Sequence, residues 1–326
     1  MAQRGHAGHM ELVMTHSSPR AISALNRLLG GRLLASLLAA AAILPGAAQA
    51  MTMSGDKEVA RMVTLGGSCS KCELSGRKLR GAQFNGSNFS GAALVGSDLR
   101  EARFIGALFS NADLSRADLS GAQMIGANFS SANLSDARLR DVEARAVIFV
   151  GAVMNHVDLR DTRAQGANFT RANLNGAKFS DSTLQGAILA HVDAREADFH
   201  DAEMQGANLS AGRFEQASFR DADLEGAILT GGAFAGADFR NANLKHTLLY
   251  GADLSRVRNL KQEDLDEACA DSSTKLPNGL TARGCHGMTH WSVHIAIPAP
   301  PAAPAAPAAP AAPPAPPAPR YIAPQD

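Results

Sequence analysis

From Leu74 to Leu254 every fifth residue is Leu, Phe, Met or, at Ala144, Ala164 and Ala194, Ala, and the register never slips. A period of five matches neither the helical 3.6 nor the strand's 2.0, so no ordinary element accounts for it and the chain reads as a solenoid of short repeats. The unit is small-polar-large-any-any, as in Ala112-Asp113-Leu114-Ser115-Arg116 and Ala132-Asn133-Leu134-Ser135-Asp136. Two of its five positions must face inward.

A second regularity sets the coil at twenty residues. Phe recurs at Phe89, Phe109, Phe129, Phe149 and Phe169, and that column continues as Leu189, Leu209, Leu229 and Leu249. Ten residues away, Leu79, Leu99, Leu119, Leu139 and Leu159 give way to Phe179, Phe199, Phe219 and Phe239. Stacked coils put equivalent residues about 4.8 Å apart, so like rings form ladders, and a packed interior of fixed volume sets Leu on one wall against Phe on the other.

This pattern resembles the pentapeptide-repeat family, whose consensus is Ala-(Asp/Asn)-Leu-x-x. The resemblance implies an all-β fold, a right-handed quadrilateral β-helix with four pentapeptides per coil, the Leu/Phe and the preceding Ala both inside. About nine coils would span roughly 43 Å.

Residues 1–50 read as a secretory signal peptide: Arg32 precedes an apolar run from Leu33 to Leu44, then Pro45, Gly46 and the small-residue site Ala48-Gln49-Ala50, cut after Ala50. The leader ahead of Arg32 is long, and Met10 and Met14 are alternative starts. A run of about twelve residues is too short to span a bilayer, so no membrane span is expected in the mature chain. The expected location is periplasmic or secreted. Residues 51–73 form an N-terminal cap, 74–256 the β-helix, 257–295 a C-terminal cap and 296–326 a disordered Pro/Ala tail. The stretch Pro298 to Pro319 cannot build a core and favours polyproline II, a spacer of roughly 70 Å.

Four cysteines flank the repeat. Cys69-Ser70-Lys71-Cys72 is followed by Glu73, not the His that haem attachment needs, and a redox role would require a βαβ context. The structural reading is a short Cys69–Cys72 disulfide pinning the N-terminal cap and a Cys269–Cys285 disulfide closing a loop over the other end. A loop of the latter length contributes on the order of 3 kcal/mol by chain-entropy estimates. Exported pentapeptide-repeat proteins often carry similar Cys-containing caps with a Leu-Pro-x-Gly-Leu element, here Leu276-Pro277-Asn278-Gly279-Leu280. A helix is expected over Leu260 to Cys269.

Catalysis needs groups converging in a cavity, and the inward positions carry no titratable side chain. No catalytic residue, cofactor or metal site is expected. The best metal candidate, Cys285 with His286, His290 and His294, is more simply a disulfide cysteine beside three histidines.

Formal net charge is zero. One outward column is Arg80, Arg100, Arg140, Arg160, Arg220 and Arg240, answered by Glu101, Asp141, Asp161, Asp181, Asp201 and Asp221, so an ion-pair ladder is expected and nucleic-acid binding is not. Another side has no Asp, Glu, Lys or Arg. Its outward column alternates Asn88, Leu108, Asn128, Ile148, Asn168, Ile188, Asn208, Ile228 and ends near Leu248 and Tyr250. That is the composition of a protein-docking face, for an unidentified protein or a second copy in a homodimer. The competing reading is that Gly and small polar residues suit a tight coil and that Asn ladders with itself. The functional expectation is a non-enzymatic exported scaffold. Two alternatives stand beside it: a DNA-mimic binder of a type II topoisomerase, since some pentapeptide-repeat proteins resemble B-DNA, and an envelope structural spacer.

Overall fold

The computed structural model describes residues 67–284. Parallel bridges join each outward residue to the one twenty further on, in unbroken series from Ser68↔Asn88 to Asp238↔Arg258. The coil therefore closes after four pentapeptides, and the repeat forms a quadrilateral β-helix.

Each side of the coil is built alike. From Ser87 onward the large residue and the small one two before it are buried, and the residue between them faces out and carries the bridge. Leu94 N–H donates to the Asp113 carbonyl at 2.7 Å, and Asp113 N–H donates to the Ala92 carbonyl at 2.9 Å. Each corner is a four-residue turn, such as Phe89 to Ala92, closed by Ala92 N–H on the Phe89 carbonyl at 3.0 Å. Its third residue lies at positive φ, as in a type II turn. At every fifth position from Lys71 to Gly251, φ falls between 53° and 75°. Gly, Asp, Arg, His and even Ala occupy that position. Val, Ile and Thr never do, because a β-branched side chain clashes with its own backbone there.

The polar position does more than face solvent, as the sequence suggested. The side-chain oxygen of Asp113 accepts the Ser115 N–H at 2.9 Å, that of Asn168 the Thr170 N–H at 2.9 Å and that of Asp223 the Glu225 N–H at 3.1 Å. Only an oxygen is required, which is why Asn and Asp interchange along the repeat.

The two Phe columns stack as expected. Centroids lie 4.9 Å apart for Phe89 and Phe109, 4.7 Å for Phe109 and Phe129, and 5.2 Å for Phe199 and Phe219. Where the columns exchange, Phe169 meets Phe179 edge-on at 5.6 Å. Volume is also balanced within single pentapeptides. Ala144, Ala164 and Ala194 follow the bulkier Val142, Thr162 and Val192, whereas Phe214 and Phe234 follow Gly212 and Gly232. A Cβ on Gly232 would lie 2.6 Å from the Phe234 ring. The buried Thr162 hydroxyl donates to the Leu139 carbonyl at 2.7 Å and so remains satisfied.

Both ends differ in detail from the sequence reading. The ladder begins at Ser68, so Cys69 and Cys72, joined by a disulfide with Cα atoms 5.3 Å apart, already stand at inward positions of the first coil. The expected boundary at Leu74 falls inside that coil. Beyond Leu254 the anticipated helix shrinks to one turn, α1 (Gln262–Leu265). The chain is then drawn into extended pairing: β1 (Cys269–Ala270) bridges Leu248 on one side and β2 (Arg283–Gly284) on the other. The expected turn is present, with Leu280 N–H on the Pro277 carbonyl at 3.1 Å and Gly279 at φ 86°. Gln262 ties α1 to it, donating to the Thr281 carbonyl at 2.9 Å and accepting Thr281 N–H at 3.0 Å. Cys269 is disulfide-bonded. Its expected partner Cys285, with the signal sequence, the His286, His290 and His294 cluster and the Pro/Ala tail, lies outside the described residues. No helix among the described residues is long and apolar enough to cross a membrane.

Candidate interaction surface

The uncharged residues fall into one continuous wall. Bridges run Asn88↔Leu108↔Asn128↔Ile148↔Asn168↔Ile188↔Asn208↔Ile228↔Leu248, and the column continues through Cys269 to Arg283. From Asn88 to Leu248 its residues are half-buried by their neighbours, except Leu108, which is 41% exposed.

The two residue types behave differently. Asn88, Asn128, Asn168 and Asn208 each turn Oδ1 onto the N–H two residues on, at 2.9 Å for Ser90, Ser130 and Thr170 and 3.0 Å for Ser210. They do not ladder with one another. Leu108, Ile148, Ile188 and Ile228 offer no such oxygen, and no side chain accepts the N–H of Ser110, Val150, Ala190 or Thr230. An aliphatic residue here forgoes a hydrogen bond worth about 1 kcal/mol, as Ala93, Val153 and Ala233 do on another side, and leaves part of its apolar surface in water.

The corner leading into the wall is almost bare: Gly86, Gly106, Gly126, Gly166, Gly186, Gly206 and Gly226, with Ala146 and His246 the exceptions. The adjacent corner, one side earlier in each coil, holds Glu101, Asp141, Asp161, Asp181, Asp201 and Asp221 at the same φ, so backbone geometry alone does not demand Gly. A bare corner lets another surface approach the backbone closely. Tyr250 is not part of the outward column. It follows Leu249 at a turn position and lines a cavity of about 660 Å³ in the C-terminal cap with Ala270, Asp271, Leu276 and Ala282.

The opposite side is charged but only partly laddered. Arg80 reaches Glu101 at 2.5 Å and Arg140 reaches Asp161 at 3.6 Å across coils. Arg100 and Arg160 instead grip the carboxylate two residues back, with contacts of 2.7 and 2.6 Å to Asp98 and 2.8 and 2.6 Å to Asp158. These guanidinium contacts hold both carboxyls below their usual range. Residues two apart on an extended segment share a face, so this partner is nearer than the corner acid. His200 spans two coils, with Nε2 3.0 Å from Asp201 and Nδ1 3.7 Å from Asp221. Nδ1 lies nearer the Arg220 carbonyl, at 3.1 Å, so the two ring nitrogens face different groups.

Sequence reasoning missed the bare corner as a feature distinct from the wall, although the glycines at twenty-residue spacing were its signal. It also missed the turn bonds of Asn and Asp, which only the backbone geometry reveals.

Comparison with known proteins agrees with this architecture. The family model for pentapeptide repeats (8 copies) matches residues 68–106, 177–216 and 217–256, and that for the pentapeptide repeat region matches residues 112–189. The chain belongs to the pentapeptide-repeat family. Among solved structures it is similar to HetL, a pentapeptide repeat protein involved in heterocyst differentiation regulation from the cyanobacterium Nostoc sp. strain PCC 7120, at 24% identity and TM-score 0.58, covering 64% of this chain and 91% of that one. This likeness fixes the right-handed quadrilateral β-helix. Full-length QnrB1, a plasmid-mediated fluoroquinolone resistance protein, matches at 22% identity and TM-score 0.34, covering 63% and 94% of the two chains. A pentapeptide repeat protein from the Arabidopsis thaliana thylakoid lumen matches at 28% identity and TM-score 0.19, covering 37% and 70%. The last two superpose too loosely to carry an argument. A search of curated proteins by sequence finds no match.

Proposed function

We propose that this protein is an exported, non-enzymatic scaffold that binds protein through the uncharged wall. Members of the pentapeptide-repeat family are generally non-enzymatic scaffolds. Between Phe84 and Leu254 the inward positions hold no titratable group, so the solenoid supplies no converging catalytic side chains. The observation that carries the reading is the aliphatic series Leu108, Ile148, Ile188 and Ile228. Each gives up a turn hydrogen bond that Asn makes in the next coil, and together, with Leu108 exposed and the three Ile half-buried, they put an aliphatic group on every second coil of a side free of charge. Signal-like residues 1–50 and the Cys69–Cys72 disulfide support a periplasmic or secreted location, where thiols oxidise.

The test replaces Ile148 and Ile188 with Asn, the residue the repeat itself uses. Circular dichroism and thermal unfolding should be unchanged while association falls by at least about tenfold. Undiminished association in a folded double variant would remove the wall from the account. Amino-terminal sequencing of the envelope fraction should begin at Met51; an intact leader on a cytoplasmic product would overturn the assigned location.

A further inference from the structure

Resting on that reading, we infer that the occupant of the wall is a second copy of this chain, packed face to face and antiparallel about a two-fold axis at the level of Asn168. The wall is self-complementary about that rung. In the outward column, reversal about Asn168 sets Ile148 against Ile188, Asn128 against Asn208 and Leu108 against Ile228. In the turn column, reversal about Thr170 sets Val150 against Ala190, Ser130 against Ser210 and Ser110 against Thr230. In the bare corner, reversal about Gly166 sets Gly126 against Gly206 and Gly106 against Gly226, while Ala146 against Gly186 differs by one methyl.

At the outermost coil the match ends in all three columns. Asn88 would face Leu248, Ser90 would face Tyr250 and Gly86 would face His246. The matched length, from Leu108 to Ile228, is seven rungs, whose six spacings span about 29 Å.

The axis direction follows from the columns. A two-fold axis along the strands keeps each column opposite itself, so aliphatic meets aliphatic and the two glycine corners come together. An axis along the solenoid would set the glycine corner of one copy against the Ser/Thr column of the other. An isologous interface requires the same patch on both copies, and only a patch matched to its own reversal closes antiparallel.

Charge points the same way. A partner chosen by charge needs complementary ions, and this wall has none to offer, whereas a second copy needs none. With a side about 10 Å wide, the pair would bury roughly 600 Å² in all, below the standard specific interface, so a weak dimer in the upper micromolar range is expected.

The experiment uses the full chain in sedimentation velocity, with charges placed to read out register. The unaltered protein should dimerise, and Ile148→Asp and Ile188→Lys should each weaken the dimer by at least about tenfold, because each leaves a buried charge unpaired. Mixing the two variants should restore association, since Asp at one position then faces Lys at the other across the axis. Mixing Ile148→Asp with Ile148→Lys should not restore it. Rescue by the second mixture alone would mean a parallel arrangement and would overturn the inference. A wild-type chain that stays monomeric at millimolar concentration overturns it too, yet leaves the scaffold reading standing if the Ile148→Asn, Ile188→Asn protein still loses a different partner. Dimers unaffected by any of these substitutions would place the self-interface elsewhere and overturn the inference as well.

Discussion

Asp271 takes the place of a missing coil for Gly251. Its Oδ1 accepts the Gly251 N–H at 3.0 Å, where one coil earlier Gly231 N–H donates to the backbone carbonyl of Tyr250 at 2.8 Å. The same carboxylate holds the Ser273 and Thr274 N–H groups at 3.1 and 3.0 Å and both hydroxyls. A solenoid must satisfy the backbone donors its last coil leaves open, and here a side chain does so.

These hydrogen bonds lower the Asp271 carboxyl to about 2. A depressed folded-state value means the stabilisation is fully present above the unfolded value of 3.8 and is lost as pH falls toward 2. Asp271→Ala should therefore unfold at lower temperature than the parent at neutral pH, and the gap should narrow between pH 4 and pH 2. A gap independent of pH would show that the charge is not what closes the end.

Gly232→Ala should destabilise by about 1–3 kcal/mol, although Gly232 has no special backbone angle, because the new methyl would stand 2.6 Å from the Phe234 ring in a filled interior. Adding Phe234→Leu should recover much of the loss. Urea unfolding of the single and double variants measures it, and simple additivity would contradict volume balance within the pentapeptide.

Ala211 sits at φ 53°. Ala211→Gly should raise stability by about 0.5–1 kcal/mol, the relief of the left-handed Cβ exceeding the extra chain entropy, while Ala211→Val should lower it. Denaturant midpoints of the two variants moving in the same direction would contradict this reading of the corners.

Much of the fold was legible in the residues because a solenoid repeats its constraints. The Phe89 and Phe179 columns fixed both the twenty-residue closure and the crossover between Phe169 and Phe179, since stacked rings and constant volume leave one arrangement. The caps were less legible. Nothing local distinguishes a one-turn α1 from the longer helix expected over Leu260 to Cys269; pairing of Cys269 with Leu248 decides it, and that contact is not periodic. On the charged side, adjacency of Arg and Asp columns suggested a full ladder, but Arg100 and Arg160 found closer carboxylates on their own strands. The wall was visible as an absence of charge. Its forgone hydrogen bonds were visible only once Asn168 was seen to bond Thr170.

The most direct measurement places a photo-crosslinking amino acid in the full chain, expressed in cells, at Ile188 on the wall and, separately, at Lys178 half a coil away on the charged side. The account predicts a discrete protein adduct from position 188 and none from position 178. Equal adducts from both positions, or an adduct from position 178 alone, would contradict it.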